Sequence, residues 1–203
     1  MRSPPGASAA PTAGYRPDRS PARHLVLVGG LPGAGKTTLL RRVLGEQLPG
    51  VVGVDAEQVT ERWRAAGVRL PYRVLRPWVH LVHRRRVAAA ISGPAPVVVV
   101  TDPLTDPRRR AALVSAASRA GRQVRVLLVA ATPTEAGSGQ VARGRALTAR
   151  AMRRHERRWT AALSAVRHPD GLPGVERTVV VGRAELPALG PLEVLGRIAL
   201  TCW

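Results

Sequence analysis

From residue 24 onward the chain alternates short, nearly continuous apolar runs with stretches of helical period. The runs are "HLVLVG" (24–29), "VVGVD" (51–55), "APVVVVTD" (95–102), "QVRVLLVA" (123–130) and "ERTVVVG" (176–182). Short apolar runs bounded by Gly, Pro and Asp read as strands, and runs without polar alternation as strands buried on both faces. Between them the spacing predicts helices. One begins just after Gly35 and carries Leu39, Leu40, Val43 and Leu44. A helical region covers 57–92, with a break at "RLPYRVLRP" (69–77) and a stop at Gly93-Pro94. Asp106 and Pro107 supply an N-cap and a first-turn proline for a helix over 107–120, closed by Gly121. A further helix from about 148 to 166 puts Met152, His155, Trp159, Ala162, Leu163 and Val166 on one stripe. A last one over 191–202 carries Leu192, Leu195, Ile198 and Ala199. Strands alternating with helices predict an α/β fold with a mostly parallel sheet, and no internal repeat interrupts it.

Residues 1–22 are rich in Pro, Ala, Ser and Gly without apolar periodicity, which predicts a disordered tail before one domain over 23–203. Phenylalanine is absent and aromatics make up 3%, so the core must be Val, Leu and Ala with a few tryptophans. Net charge is +19, a field that attracts phosphate-bearing partners. The arginines are spread along the whole chain, however, and the aromatics needed to stack single strands are scarce. Nucleic acid is therefore a possible partner and not the favoured one. The single cysteine, Cys202, excludes an intramolecular disulfide and fits a reducing cytoplasm. No apolar run approaches the ~18 residues of a membrane span, and no apolar segment of a secretory signal precedes residue 24.

The first predicted strand leads into "GGLPGAGKTTLL" (29–40), where Gly30, Gly35, Lys36 and Thr37 complete G-x-x-x-x-G-K-[ST]. A glycine-rich turn between a buried strand and a helix lets successive backbone N–H groups face phosphate oxygens, and the helix start adds partial positive charge. Gly30, Leu31, Pro32, Gly33, Ala34, Gly35, Lys36, Thr37 and Thr38 are thus the candidate nucleotide-binding residues. Thr37 offers a hydroxyl to Mg²⁺, and Lys36 reaches the terminal phosphates. Of the 32 Lys and Arg residues this is the one lysine. A compact ammonium on a slim stem fits a slot that a planar guanidinium does not.

Asp55 closes the second strand, where a carboxylate can act as general base or hold the metal's water shell, or simply cap the next helix. Asp102 closes the third strand and is a candidate for Mg²⁺ through water, with a turn-starting Asp-Pro as the competing reading. After the fourth strand, Gly137-Ser138-Gly139 reads as a hinge, within a lid over about 136–150, ahead of Arg143, Arg145 and Arg150. Arg143 and Arg145 are candidates for neutralising a transferred phosphoryl group, against the reading of a solvated basic loop. His155 reads as a core residue. His80 and His83 lack a third ligand at metal spacing.

Together the glycine loop, Asp55, "PVVVVTD", "AGSGQVARGRALT" and "RHERRW" resemble the small AAA-type ATPases of kinase-like fold, the group that holds zeta toxins, polynucleotide kinases and gluconate-kinase-like enzymes. The resemblance covers roughly 24–200. It implies a three-layer P-loop NTPase with a five-stranded parallel sheet ordered 2-3-1-4-5 and an arginine-bearing lid. It also implies ATP with Mg²⁺, Lys36, Asp55, Arg143 and Arg145 in catalysis, and Thr37 and Asp102 toward the metal. The expected activity is phosphoryl transfer to a small-molecule or anionic acceptor lying over 57–78, near Arg62, Trp63, Arg64, Arg69 and Arg73, in a cytoplasmic monomer or dimer. The alternatives are a nucleotide-binding ATPase or switch that transfers nothing, and a kinase or ATPase acting at nucleic-acid ends.

Overall fold

The computed structural model describes residues 22–45, 49–141, 148–168 and 171–188. The expected tail, but for Ala22, and the expected helix over 191–202 lie outside them. Five parallel strands, β1 (Arg23–Gly30), β2 (Val51–Val54), β3 (Val97–Thr101), β4 (Arg122–Ala130) and β5 (Arg177–Gly182), form one sheet in the order β2-β3-β1-β4-β5. That is the order the resemblance implied. β1 is central, with Val26 facing Val99 of β3 on one side and Arg125 of β4 on the other. Leu25–Val28 and Val97–Val100 are almost wholly buried, as unbroken apolar runs require.

The helices are α1 (Lys36–Gly45), α2 (Ala56–Ala65), α3 (Tyr72–Ser92), α4 (Pro107–Arg119), α5 (Pro133–Val141) and α6 (Ala149–Arg167). The crossover from β1 to β2 runs one way along the sheet and the later crossovers run the other. Right-handed connections then put α1 on one face and α3, α4 and α6 on the opposite face, giving three layers. Leu39 and Leu40 of α1 and Trp159 of α6 bury in the same core. The side chains of Val43 and Leu44 lie outside the described set.

The break in the 57–92 region falls earlier than the sequence suggests. α2 ends at Ala65 and α3 begins at Tyr72 behind an N-cap proline, Pro71, so Pro77 lies inside the helix. Proline there removes one N–H from the ladder. Leu75 and Val79 on either side of it bury against Val59 of α2, and this packing carries the helix through.

Two arginines are built into β4. Arg122 is buried and donates to carbonyls at the end of α3 (Ile91 at 2.6 Å, Gly93 at 2.9 Å) and in β1 (His24 at 3.3 Å). It thereby satisfies acceptors that a helix end leaves without partners. Arg125 pairs with Glu176, Nε to Oε2 at 3.0 Å.

Candidate active site

The carboxyl ends of β1 and β3 flank the point where strand order reverses, the crevice in which open α/β sheets bind ligands. The glycine loop fills it. Gly30, Gly33 and Gly35 have φ of 151°, 92° and 103°, values that side-chain-bearing residues avoid. Lys36 folds back over the loop, Nζ donating to the carbonyls of Gly30 at 2.8 Å and Leu31 at 2.9 Å.

Asp55 is buried at the mouth of this loop. It follows β2 and caps α2, its Oδ1 accepting from the Glu57 amide while the Gln58 side chain returns to the Asp55 amide. Its Oδ2 accepts from the Thr37 hydroxyl at 3.0 Å and from the Thr101 hydroxyl at the end of β3. Cap and site residue are thus one side chain, and the two readings of Asp55 are compatible.

Asp102 stands at the end of β3, with Oδ1 accepting from the Leu104 amide at 2.9 Å and Oδ2 from Arg109 Nε at 2.5 Å. The first contact, with Arg110 on the Leu104 carbonyl, holds Leu104 at a φ of 54°, an unusual conformation for a branched residue. The Leu104 side chain packs where a Cβ on Gly29 would stand.

Two residues of α3 join the acids. His83 is buried, and burial pushes its imidazole down to about 4; Asp102 and Asp55 pull it up, Arg109 and His80 further down. Arg86 donates to Gln58 Oε1 at 2.8 Å and lies in the fields of Arg62 and Asp55. By contrast Arg62, Arg64, Arg69 and Arg73 are exposed, and Trp63 packs against the Val59, Leu75 and Val79 cluster. Gln58 connects Arg86 of α3 to Asp55, accepting from the Arg86 guanidinium and from the Asp55 amide.

The segment read as a Gly/Ser hinge is helical: Gly137-Ser138-Gly139 lie within α5. A Cβ on Gly139 would sit 2.3 Å from the Gly33 carbonyl oxygen, and one on Gly33 would sit 2.1 Å from that of Ala136. Glycine serves close backbone approach here, bringing α5 directly onto the phosphate loop. Arg143 and Arg145 lie outside the described residues, and Arg150 is exposed on α6.

The family model for the AAA domain matches residues 25–169. The chain belongs to this family. No curated protein matches it. The AAA domain is similar in structure to the PezAT toxin–antitoxin system of Streptococcus pneumoniae (TM-score 0.56, 16% identity, 91% of this chain and 80% of that one). It is also similar to shikimate kinase from Acinetobacter baumannii (0.54, 15%, 87% and 93%) and to a kinase, so described, of Chloroflexus aurantiacus (0.54, 15%, 89% and 96%). These likenesses establish a P-loop fold of kinase type.

Two further residues lie beside the candidate site without a sequence motif to mark them. His155 of α6 meets Thr105 across the cleft, Nδ1 to Oγ1 at 3.1 Å, and its pKa is lowered by burial and then by the Lys36 ammonium. Arg183, just after β5, donates to the Gly33 carbonyl at 2.9 Å. It lines a cavity of about 160 Å³ with Gly35, Thr38, Arg42 and Leu186. No motif marks Arg183; only its place after a strand that neighbours β4 would have pointed to it. A cavity of about 730 Å³ between α4 and the amino end of β4 lies at the far end of the strands from the loop, so its size does not make it the site.

Proposed function

We propose that this AAA domain is an ATP·Mg²⁺-dependent phosphotransferase with a small-molecule acceptor. The observation that carries the reading is the hydrogen bond from Thr37 to Asp55, which joins the loop's metal-seeking hydroxyl to a buried carboxylate. The loop amides and Lys36 would hold the phosphates, and the cavity beside Arg183 would take the base. Thr37 would ligate Mg²⁺, whose charge favours the developing phosphate anion. Asp55, and Asp102 through the second lone pairs of its oxygens, would orient the surrounding water. An acceptor hydroxyl would pass its proton to Asp55 as its oxygen bonds to the γ-phosphorus; the bond to the β-phosphate oxygen breaks and ADP leaves. Arg143 and Arg145 are the candidates for neutralising the transferring group.

The test is ATP consumption by the purified protein against pooled metabolites, with ³¹P detection of a phosphorylated product. Acceptor-dependent ADP release with a new phosphoester is expected. Slow hydrolysis indifferent to every pool would reassign the protein as an ATPase or switch, and turnover only with oligonucleotides would make it an end-processing enzyme.

A further inference from the structure

α3 carries two polar atoms that its own packing leaves unused. Nδ1 of His83 and Nη1 of Arg86 are both buried and have no hydrogen-bond partner among the described residues. Leaving such groups without partners costs free energy, and more so for a charged one. The two residues are three positions apart, hence on the same helix face with Cβ atoms roughly 5–6 Å apart. Both lie in the field of Asp55, the proposed base.

Their chemistry differs. Arg86 uses Nη2 on the neutral Gln58, has Arg62 as a like-charged neighbour, and makes no ion pair among the described residues. Half of a guanidinium fork therefore remains for an anion. His83 is buried and uncharged at neutral pH, so its ring nitrogens offer one donor and one acceptor, which suits a hydroxyl.

Resting on the phosphotransferase reading, we propose that this face of α3 is the acceptor subsite and that it takes a small molecule bearing both a hydroxyl and an anionic group. The anion pairs with Arg86, and His83 holds a hydroxyl on the Asp55 side. The short reach between the two residues limits the acceptor to one in which hydroxyl and anion are separated by only a few bonds.

The test uses the full chain saturated with a non-hydrolysable ATP analogue and Mg²⁺, so the phosphate loop is filled before any acceptor probe arrives. Failure of the analogue to bind would overturn the phosphotransferase reading itself. Glycerol, glycerate and glycerol 3-phosphate are then titrated into wild type, Arg86→Gln and His83→Asn. In wild type at least one of the two anions binds ten-fold or more tightly than glycerol, and the order of the two distinguishes carboxylate from phosphate. Arg86→Gln removes that preference while analogue affinity stays unchanged; His83→Asn weakens both anions several-fold. Equal binding of all three probes, or a preference that survives Arg86→Gln, overturns the subsite. Should either variant fail to fold, the side-chain ¹⁵N signals of Arg86 and His83 in wild type decide. Movement on adding the tighter anion supports the proposal, and signals that stay in place overturn it.

Discussion

Thr37 Oγ1 donates to Asp55 Oδ2 at 3.0 Å, tying the first turn of α1 to the cap of α2. The same carboxylate thus has a structural duty and a proposed chemical one, and substitutions can separate them. Asparagine caps helices about as well as aspartate, so Asp55→Asn should leave ATP affinity nearly unchanged and lower melting only modestly, through the second oxygen's bonds to Thr37 and Thr101. It should slow transfer by roughly 10²–10⁴-fold, the usual contribution of a general base. Asp55→Ala should lose in addition about 1 kcal/mol of stability from the cap. Undiminished transfer in the asparagine variant removes Asp55 as base.

Lys36 tests shape against charge. Lys36→Met and Lys36→Arg should both weaken ATP binding by about 100-fold or more, because a guanidinium cannot follow the ammonium along the loop. Titration with a fluorescent ATP analogue reads this directly. Near-normal affinity in Lys36→Arg would show that the position needs only positive charge.

The α5 glycines give a matched pair. Gly137 has open space around its Cβ position, whereas Gly139 has the Gly33 carbonyl there. Gly137→Ala should stabilise by about 0.5–1 kcal/mol, since alanine favours the helix. Gly139→Ala should destabilise and reduce nucleotide affinity together, by displacing the loop. Urea unfolding with and without ATP·Mg²⁺ distinguishes the two.

The histidines set a pH dependence whose sign can be worked out. His83 is lowered from an ordinary value of 6.5 to about 4 by burial, with Arg109 and His80 adding to burial's effect and Asp102 and Asp55 opposing it. The folded state then binds fewer protons than the unfolded one between these values. The contribution is complete above pH 6.5 and is lost as pH falls towards 4, by roughly 3 kcal/mol in all. His24, His80 and His155 are lowered too, so they act in the same direction. Urea midpoints in metal-free buffer should fall steadily from pH 7 to pH 4.5, and His83→Gln should flatten the slope.

The parts legible in the sequence were those written locally. β1, β3 and β4 are apolar runs, the glycine loop is a contiguous motif between a strand and a helix, and Asp106-Pro107 opens α4 as read. What failed were features decided by distant partners. Pro77 sits in a helix because Leu75 and Val79 bury. Gly137 and Gly139 looked like a hinge because glycine's local freedom is visible in a sequence and the approach of Gly33 is not. That His83 and Arg86 come within the field of Asp55 depends on how α3 packs on β2 and β3, and no spacing encodes it.

The ammonium folded onto the Gly30 and Leu31 carbonyls belongs to the only lysine among 203 residues. An amine-selective acylating reagent therefore has a single side-chain target in the whole chain, and that target is the nucleotide loop. The arginine-rich composition, uninformative about any one arginine, turns the protein into its own occupancy reporter: one side-chain mass increment, separable from that of the α-amine by peptide mapping, and lost in proportion as the phosphate site is filled.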